Sequence, residues 1–179
     1  MLQHEGDPSR CAVILPGIRY FSQAPLLWFA RETAQAGGWS IAEVDERAPR
    51  DQDPFEWMRA QARDALETAA GAERVVVIGK SLGSAAATLV EGPAVWLTPL
   101  LDRPEVAEAI GAAAAPTLLV GSTADPTWAG GAVPENASVE VLELEGLDHS
   151  LQVERDPMAS LDVLRDVTAR VGAFLERLS

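Results

Sequence analysis

Short apolar runs rich in β-branched residues alternate along the chain with longer segments of mixed polarity. The apolar runs predict six strands, near 11–15, 40–44, 75–78, 94–98, 117–121 and 138–144. The segments between and after them predict helices near 25–36, 54–70, 82–91, 104–113 and 160–178. Strands that alternate with helices are typical of a parallel sheet covered on both faces. We therefore predict an α/β protein, a three-layer α/β/α sandwich with a mostly parallel six-stranded sheet.

The domain organisation predicted for the chain is simple. Residues 1–10 are polar and acidic and predict a flexible N-terminal leader, and residues 11–179 suit a single domain with one core. No apolar run approaches the roughly 18 residues that span a bilayer, and no basic segment with an apolar core predicts secretion. Cys11 is the only cysteine, so an internal disulfide is excluded. We expect a cytoplasmic protein, and thirteen arginines against one lysine, together with abundant alanine, favour a bacterial source.

The net charge of the chain argues against some classes of binding partner. A net charge of −13 argues against nucleic acid, because binding to the phosphate backbone needs a basic surface, and it disfavours anionic membranes. The sequence shows no metal-binding cluster and no cofactor fingerprint. We expect a small-molecule substrate and a monomer or homodimer.

The segment Gly79-Lys80-Ser81-Leu82-Gly83 fits the pattern G-x-S-x-G and stands between a predicted strand and a predicted helix. This context is typical of a nucleophile elbow, a sharp turn that exposes a serine hydroxyl. The turn holds the serine in strained backbone geometry, so its neighbours two residues before and after must lack side chains. The hydroxyl lies at a helix N-terminus, where main-chain N–H groups favour negative charge. Ser81 is therefore the predicted nucleophile.

Two other interpretations of this motif have to be weighed. The end of a phosphate-binding loop also reads Gly-Lys-Ser, but that loop requires glycine at position 74, where the chain has Arg74. An ordinary turn between a strand and a helix is the second, because G-x-S-x-G is common by chance. Which interpretation holds depends on whether the chain also has a base and an acid for Ser81.

A serine nucleophile needs a base, and the chain has only two histidines. His4 lies in the leader, so His149, on a short loop after the last predicted strand, is the predicted base. Asp125 follows the strand at 117–121 and is the predicted carboxylate that orients the imidazole and stabilises its charged form. Asp148 is the alternative acid, although the side chains of adjacent residues usually diverge.

Further predicted site residues lie on loops that directly follow strands. The main-chain N–H groups of Leu82 and Ile18 are the predicted donors of an oxyanion hole. Predicted substrate contacts are Gly17, Arg19, Tyr20, Leu100 and Trp128. Arg19 would either meet an acidic substrate group or pair with a surface carboxylate. Loops that follow parallel strands converge at the carboxyl edge of the sheet, where open α/β folds bind ligands.

The chain resembles the small α/β-hydrolases, in particular the dienelactone-hydrolase-like and carboxylesterase branches. The residues that carry the resemblance are Pro16-Gly17-Ile18, Gly79-Lys80-Ser81-Leu82-Gly83, Asp125, Asp148-His149-Ser150, and Leu15 to Tyr20 followed by Pro25 to Phe29. The chain order Ser81, Asp125, His149 also matches that of α/β-hydrolase triads. Two departures are Pro16, where many relatives have histidine, and the serine nucleophile, where dienelactone hydrolases proper have cysteine.

The resemblance implies a minimal α/β-hydrolase fold with strand order 2-1-3-4-5-6 and a serine hydrolase without a cofactor. The short connection between the strand near 94–98 and the helix near 104–113 leaves no room for a cap domain. The expected activity is hydrolysis of a small carboxylic ester or thioester. The alternatives are an acyltransferase or peptidase that uses the same triad, and a non-catalytic binding or interaction protein with this fold.

Overall fold

The computed structural model describes residues 2–45, 48–128 and 133–178. Its strands are β1 (Leu2–His4), β2 (Asp7–Leu15), β3 (Trp39–Glu43), β4 (Arg74–Lys80), β5 (Ala94–Leu97), β6 (Thr117–Ser122) and β7 (Val139–Leu144). Its helices are α1 (Pro25–Ala36), α2 (Pro54–Ala69), a 3₁₀ helix (Ser81–Leu89), α3 (Pro104–Gly111) and α4 (Pro157–Arg177). Every predicted strand and helix is therefore present, with bounds that differ by a few residues.

The strands form one sheet in the order β1-β3-β2-β4-β5-β6-β7. Strands β2 to β7 run parallel to one another, in the order predicted for six strands. The sheet has seven strands rather than the predicted six, because Leu2–His4 pairs antiparallel with β3. Within the segment 1–10, predicted as a flexible N-terminal leader, residues 2–4 form β1 and residues 7–10 begin β2.

Helices cover both faces of this sheet, and alternate residues of β2 point to opposite layers. Ala12 and Ile14 join the apolar cluster under α1 and α4. Val13 and Leu15 join the cluster under α2, the 3₁₀ helix and α3. Both faces of the central strands are buried, which is why these strands appear in the sequence as continuous apolar runs. The three-layer sandwich is confirmed.

Local signals fix where the α-helices begin. Each of the four α-helices has proline at its first turn, where the missing N–H has no intrahelical partner to lose. Asp53 accepts hydrogen bonds from the main chain of Phe55 and Glu56 and so caps α2. Asp156 caps α4 in the same way through the N–H of Ala159.

The connections determine which edge of the sheet can hold a site. Residues 98–103 alone join β5 to α3, so no cap domain is inserted there, as predicted. The loops after β2, β4, β6 and β7 meet at the carboxyl edge of the parallel strands. None of the helices within the described ranges has the length and hydrophobicity that spanning a bilayer requires.

Candidate active site

Ser81 occupies a sharp turn between β4 and the 3₁₀ helix. Its backbone φ angle is +51°, in the left-handed region that non-glycine residues seldom adopt. The residue is 9% exposed, so it lies largely below the surface. Strained backbone of this kind persists only where the surrounding structure enforces it, and it concentrates at functional sites.

The two glycines that flank Ser81 make this turn possible. A Cβ atom on Gly83 would lie 2.4 Å from the main-chain oxygen of Leu15 in β2. A Cβ atom on Gly79 would lie 2.6 Å from the ring of Trp96. Both separations are shorter than any van der Waals contact, so the neighbouring strands require glycine at both positions.

Three predicted side chains form a continuous chain of hydrogen bonds. Nε2 of His149 lies 2.8 Å from Oγ of Ser81, and Nδ1 of His149 lies 2.7 Å from Oδ2 of Asp125. With Asp125 ionised, Nδ1–H donates to the carboxylate and Nε2 accepts from the serine hydroxyl. Asp125 is 2% exposed, whereas the imidazole of His149 is about one third exposed. His149 can therefore meet a ligand while Asp125 stays shielded.

Thr127 belongs to this arrangement but was not identified from the sequence. Its main-chain N–H and its hydroxyl are each 2.9 Å from Oδ1 of Asp125, and the hydroxyl is 3.3 Å from Nδ1 of His149. An aspartate that accepts from the residue two positions later is typical of an Asx-turn. The segment Asp125-Pro126-Thr127 carries that signal in the sequence, so the contact with Asp125 was accessible to prediction.

The alternative acid, Asp148, serves a different purpose in the structure. Its Oδ1 accepts from the main-chain N–H groups of Ser150 and Gln152, at 2.7 and 2.9 Å. The carboxylate therefore closes the loop that carries His149. Asp125, and not Asp148, is the carboxylate hydrogen-bonded to the imidazole.

The loop after β2 lies directly against Ser81. Gly17 and Tyr20 close a tight turn through two main-chain hydrogen bonds, of 3.0 and 3.4 Å. A Cβ atom on Gly17 would lie 3.2 Å from Cβ of Ser81, so glycine allows this close approach. The side chain of Ile18 is 54% exposed and that of Leu82 is 4% exposed. The two segments predicted to supply oxyanion donors are thus neighbours of Ser81.

The other predicted substrate contacts have definite positions. Arg19 has a φ angle of +55°, is exposed and makes no ion pair within the described ranges. The main-chain N–H of Leu100 donates to Oγ of Ser84 at 3.0 Å, and its side chain packs on the core. Trp128 donates from its indole N–H to Glu143 at 2.7 Å, and its ring lies against Gly121. The Trp128 side chain is therefore fixed by contacts with β6 and β7.

Tyr20 and the buried Lys80 form a second group of contacts behind His149. Nζ of Lys80 donates to the main-chain oxygen of His149 at 2.9 Å and lies 4.6 Å from the centroid of the Tyr20 ring. The Tyr20 hydroxyl accepts from the N–H of Leu26 at 3.0 Å. Burial lowers the pKa of Lys80 to about 8, although the negative charges of Asp125 and Asp148 oppose the shift. No role for Lys80 is predicted from the sequence.

An apolar groove of about 450 Å³ borders this region, between the first turn of α1, the His149 loop and the start of α4. Tyr20, Leu26, Leu151 and Leu161 supply part of its wall, and Ser150 lies at its margin. None of the three hydrogen-bonded residues Ser81, Asp125 and His149 lines it. Of the predicted substrate contacts, Tyr20 is the one that borders the groove.

No protein-family model and no curated protein sequence matches the chain. Solved structures do match it. Est1E from Butyrivibrio proteoclasticus, determined with ferulic acid bound, has a TM-score of 0.69 at 16% identity, with 98% of this chain and 93% of that chain covered. Mouse alpha/beta hydrolase domain-containing protein 10 has a TM-score of 0.69 at 13% identity, covering 99% of this chain and 94% of that one. The chain has the α/β-hydrolase fold.

A third solved structure also matches the chain. The structure of an esterase from Pyrococcus furiosus has a TM-score of 0.70 at 14% identity, and the match covers 98% of this chain and 91% of that chain. Identities this low establish the common fold alone. The fold expected from the resemblance is thereby confirmed, and the antiparallel strand β1 is an addition to the predicted sheet.

Proposed function

We propose that this protein is a serine hydrolase that cleaves a small carboxylic ester or thioester. In this proposal Ser81 is the nucleophile, His149 is the general base and Asp125 orients the imidazole. The observation that carries the proposal is the hydrogen-bonded chain from Asp125 through His149 to Ser81, with separations of 2.7 and 2.8 Å. Nucleophile, base and orienting acid in hydrogen-bond reach of one another are the geometric signature of nucleophilic catalysis.

In the first half of the reaction, Ser81 becomes acylated. Nε2 of His149 takes the hydroxyl proton as Oγ of Ser81 attacks the carbonyl carbon, and the carbonyl oxygen becomes an oxyanion. The N–H groups of Leu82 and Ile18 stabilise that oxyanion. The imidazolium returns its proton to the leaving alcohol or thiol, the bond from carbon to the leaving group breaks, and an acyl-enzyme remains on Ser81.

In the second half, water releases the acid. His149 takes a proton from water, whose oxygen attacks the acyl carbon and forms a second oxyanion. The imidazolium then protonates Oγ of Ser81, and the carboxylic acid departs. Throughout, the buried carboxylate of Asp125 stabilises the imidazolium, whose Nδ1–H it accepts.

Two kinds of observation beyond the hydrogen bonds support the proposal. Ser81 has the positive φ angle of an elbow, and the glycines on either side of it are enforced by close packing. Two similar structures, from Rhodothermus marinus and P. furiosus, are of proteins named as esterases. The open carboxyl edge, without a cap between β5 and α3, suits a small substrate that enters from solvent.

The proposal is tested by mass spectrometry after treatment with a fluorophosphonate probe. One adduct on Ser81 is expected, and it should be absent from Ser81→Ala and strongly reduced in His149→Ala. Ser9→Ala removes a serine at the start of β2, away from the carboxyl edge, and should label like the wild type.

Turnover of p-nitrophenyl esters of increasing acyl length provides the second test. The Ser81→Ala and His149→Ala variants should each lose at least about 10³-fold in kcat. A folded wild-type protein that takes up no probe and cleaves no ester would contradict the proposal and favour the non-catalytic binding protein. Transfer of the acyl group to an added amine or alcohol, in preference to water, would favour an acyltransferase.

A further inference from the structure

Lys80 is a buried charged residue that has no role in the proposed reaction. It is the only lysine of the chain, it precedes the nucleophile, and it is 1% exposed. Transfer of an ammonium group from water to such a site is unfavourable unless polar partners replace the water. An apolar side chain of the same length would fill the same space equally well. The contacts of its charged end therefore require an explanation.

Those contacts join two loops of the candidate active site. Within the described ranges, Nζ of Lys80 has one hydrogen-bond acceptor, the main-chain oxygen of His149 at 2.9 Å. The ring of Tyr20 faces the same Nζ at 4.6 Å from its centroid, a distance at which a cation is attracted to an aromatic face. Tyr20 is itself fixed by its turn with Gly17 and by the N–H of Leu26. Lys80 thus links the base to the loop next to Ser81.

We propose that Lys80 is a positioning residue, whose ammonium group holds the main-chain carbonyl of His149 and so keeps the imidazole in line with Ser81. This inference rests on the proposed hydrolase function. The hydrogen bond of Lys80 is to the main-chain oxygen of His149, so Lys80 acts through the loop that carries the base. A charge-assisted hydrogen bond is about twice as strong as a neutral one, so the charged form is the effective one.

The contact should depend on pH. The groups that face Lys80 are Tyr20 after β2, Asp125 after β6, and Asp148 and His149 after β7. Burial brings the pKa of Lys80 down to about 8 against the attraction of the two carboxylates. Burial raises the pKa of the Tyr20 phenol above its usual value, so that phenol stays neutral where Lys80 loses its proton. The value of kcat/KM should therefore fall as pH rises through about 8.

The first experiment compares wild type with Lys80→Met, which retains an unbranched apolar stem and removes the charge. We expect kcat to fall about 10- to 100-fold, the order of loss that displacement of a catalytic group by about 1 Å causes, with KM nearly unchanged. The melting temperature should stay the same or rise, because a buried cation is removed. A folded Lys80→Met variant with wild-type kcat would overturn the inference, as would a fall in kcat that a lower melting temperature accounts for.

The second experiment uses Lys80→Arg, in which the side chain remains charged at every pH of the assay. The decline in kcat/KM near pH 8 should move to higher pH in this variant. The same decline in both proteins would overturn the proposed role of the Lys80 charge.

A third experiment separates this inference from the proposed function, because it needs no turnover. With lysine labelled by ¹³C at Cε, the single lysine gives one resonance, whose titration follows Lys80 directly. The low-field proton between His149 and Asp125 should shift over the same pH range and should broaden in Lys80→Met. If the Lys80 resonance and the proton between His149 and Asp125 titrate together in a protein that cleaves no ester, the positioning contact is supported and the proposed hydrolase function is rejected. Ester hydrolysis with no such coupling would reject the positioning role alone.

Discussion

Thr127 donates two hydrogen bonds to a single oxygen of Asp125, one from its main-chain N–H and one from its hydroxyl, each 2.9 Å long. These bonds occupy Oδ1 and leave Oδ2 to accept from Nδ1 of His149 at 2.7 Å. The rotation of the carboxylate is therefore fixed by its own loop, independently of the imidazole. Preorganisation of this kind determines which tautomer the histidine adopts.

Removal of the Thr127 hydroxyl should weaken catalysis without abolishing it. The Thr127→Val variant has nearly the same shape but lacks Oγ1, so one of the two bonds that orient Asp125 is lost. We expect kcat of p-nitrophenyl acetate hydrolysis to fall about tenfold, consistent with roughly 1.4 kcal/mol for one hydrogen bond to a charged group. Thr127→Ser retains the hydroxyl and should keep most of the activity. Equal losses in the two variants would show that the hydroxyl contributes no more than the methyl group, and would contradict its proposed role.

The N–H of Ile18 can be removed selectively, because the side chain is exposed. Ile18→Pro removes the proposed oxyanion donor, and the loss of one such donor lowers kcat by about 10²- to 10³-fold. Ile18→Ala truncates the same exposed side chain but retains the N–H, and it should lose far less. The melting temperatures of both variants would be compared with wild type, and an active Ile18→Pro enzyme would place the second donor elsewhere.

The glycine after the elbow should be essential for stability. A methyl group in Gly83→Ala would lie 2.4 Å from the main-chain oxygen of Leu15, and the backbone of β2 cannot move aside as a flexible side chain could. We expect a loss of about 3 kcal/mol in the free energy of unfolding, measured in urea. Gly71→Ala is the matched control, because nothing lies within 4 Å of its added methyl group, and it should change stability by less than about 0.5 kcal/mol.

Lys80 should make stability rise with pH in a window where activity falls. The unfolded chain keeps the lysine proton up to its ordinary pKa of 10.5, whereas the folded chain releases it near 8. Between these values unfolding takes up a proton, so it becomes less favourable as pH increases. Relative to Lys80→Met, the free energy of unfolding of wild type should therefore increase from pH 8 to 10.5, by up to about 3 kcal/mol.

Urea unfolding of both proteins at several pH values measures this difference directly, since all other titrating groups are common to the two. Parallel stability curves would mean that the folded state does not lower the pKa of Lys80. Below pH 8 the difference between the proteins should be constant, because the lysine is then charged in both folded and unfolded wild type.

The parallel part of the sheet could be predicted because each of its strands contains a compact apolar run, such as Val75 to Ile78 in β4. Strand β1 could not, because Leu2-Gln3-His4 contains one apolar residue and no alternation. It is a strand only through its pairing with Ile41–Glu43. The 3₁₀ winding of Ser81–Leu89 was also missed, since small side chains fit an α-helix and a 3₁₀ helix equally well.

The candidate site was predictable where a residue type is rare or a motif is local. Ser81 follows from G-x-S-x-G, and His149 follows from there being two histidines. The contact between Lys80 and the carbonyl of His149 could not be predicted from the sequence. It joins residues far apart in the chain, and its acceptor is a backbone atom that every residue has. Trp128 was expected to contact substrate, but the sequence could not show that its indole would bind Glu143.

The antiparallel strand β1 has a consequence for the behaviour of the protein at high concentration. It covers the hydrogen-bonding edge of β3 at Ile41–Glu43 and, among the described residues, presents the three residues Leu2–His4 in its place. At the opposite edge, β7 carries Glu140 and Glu143. Short edges and charged edges both resist the addition of a strand from another molecule. Crowded copies of this chain are thereby hindered from joining their sheets into larger aggregates.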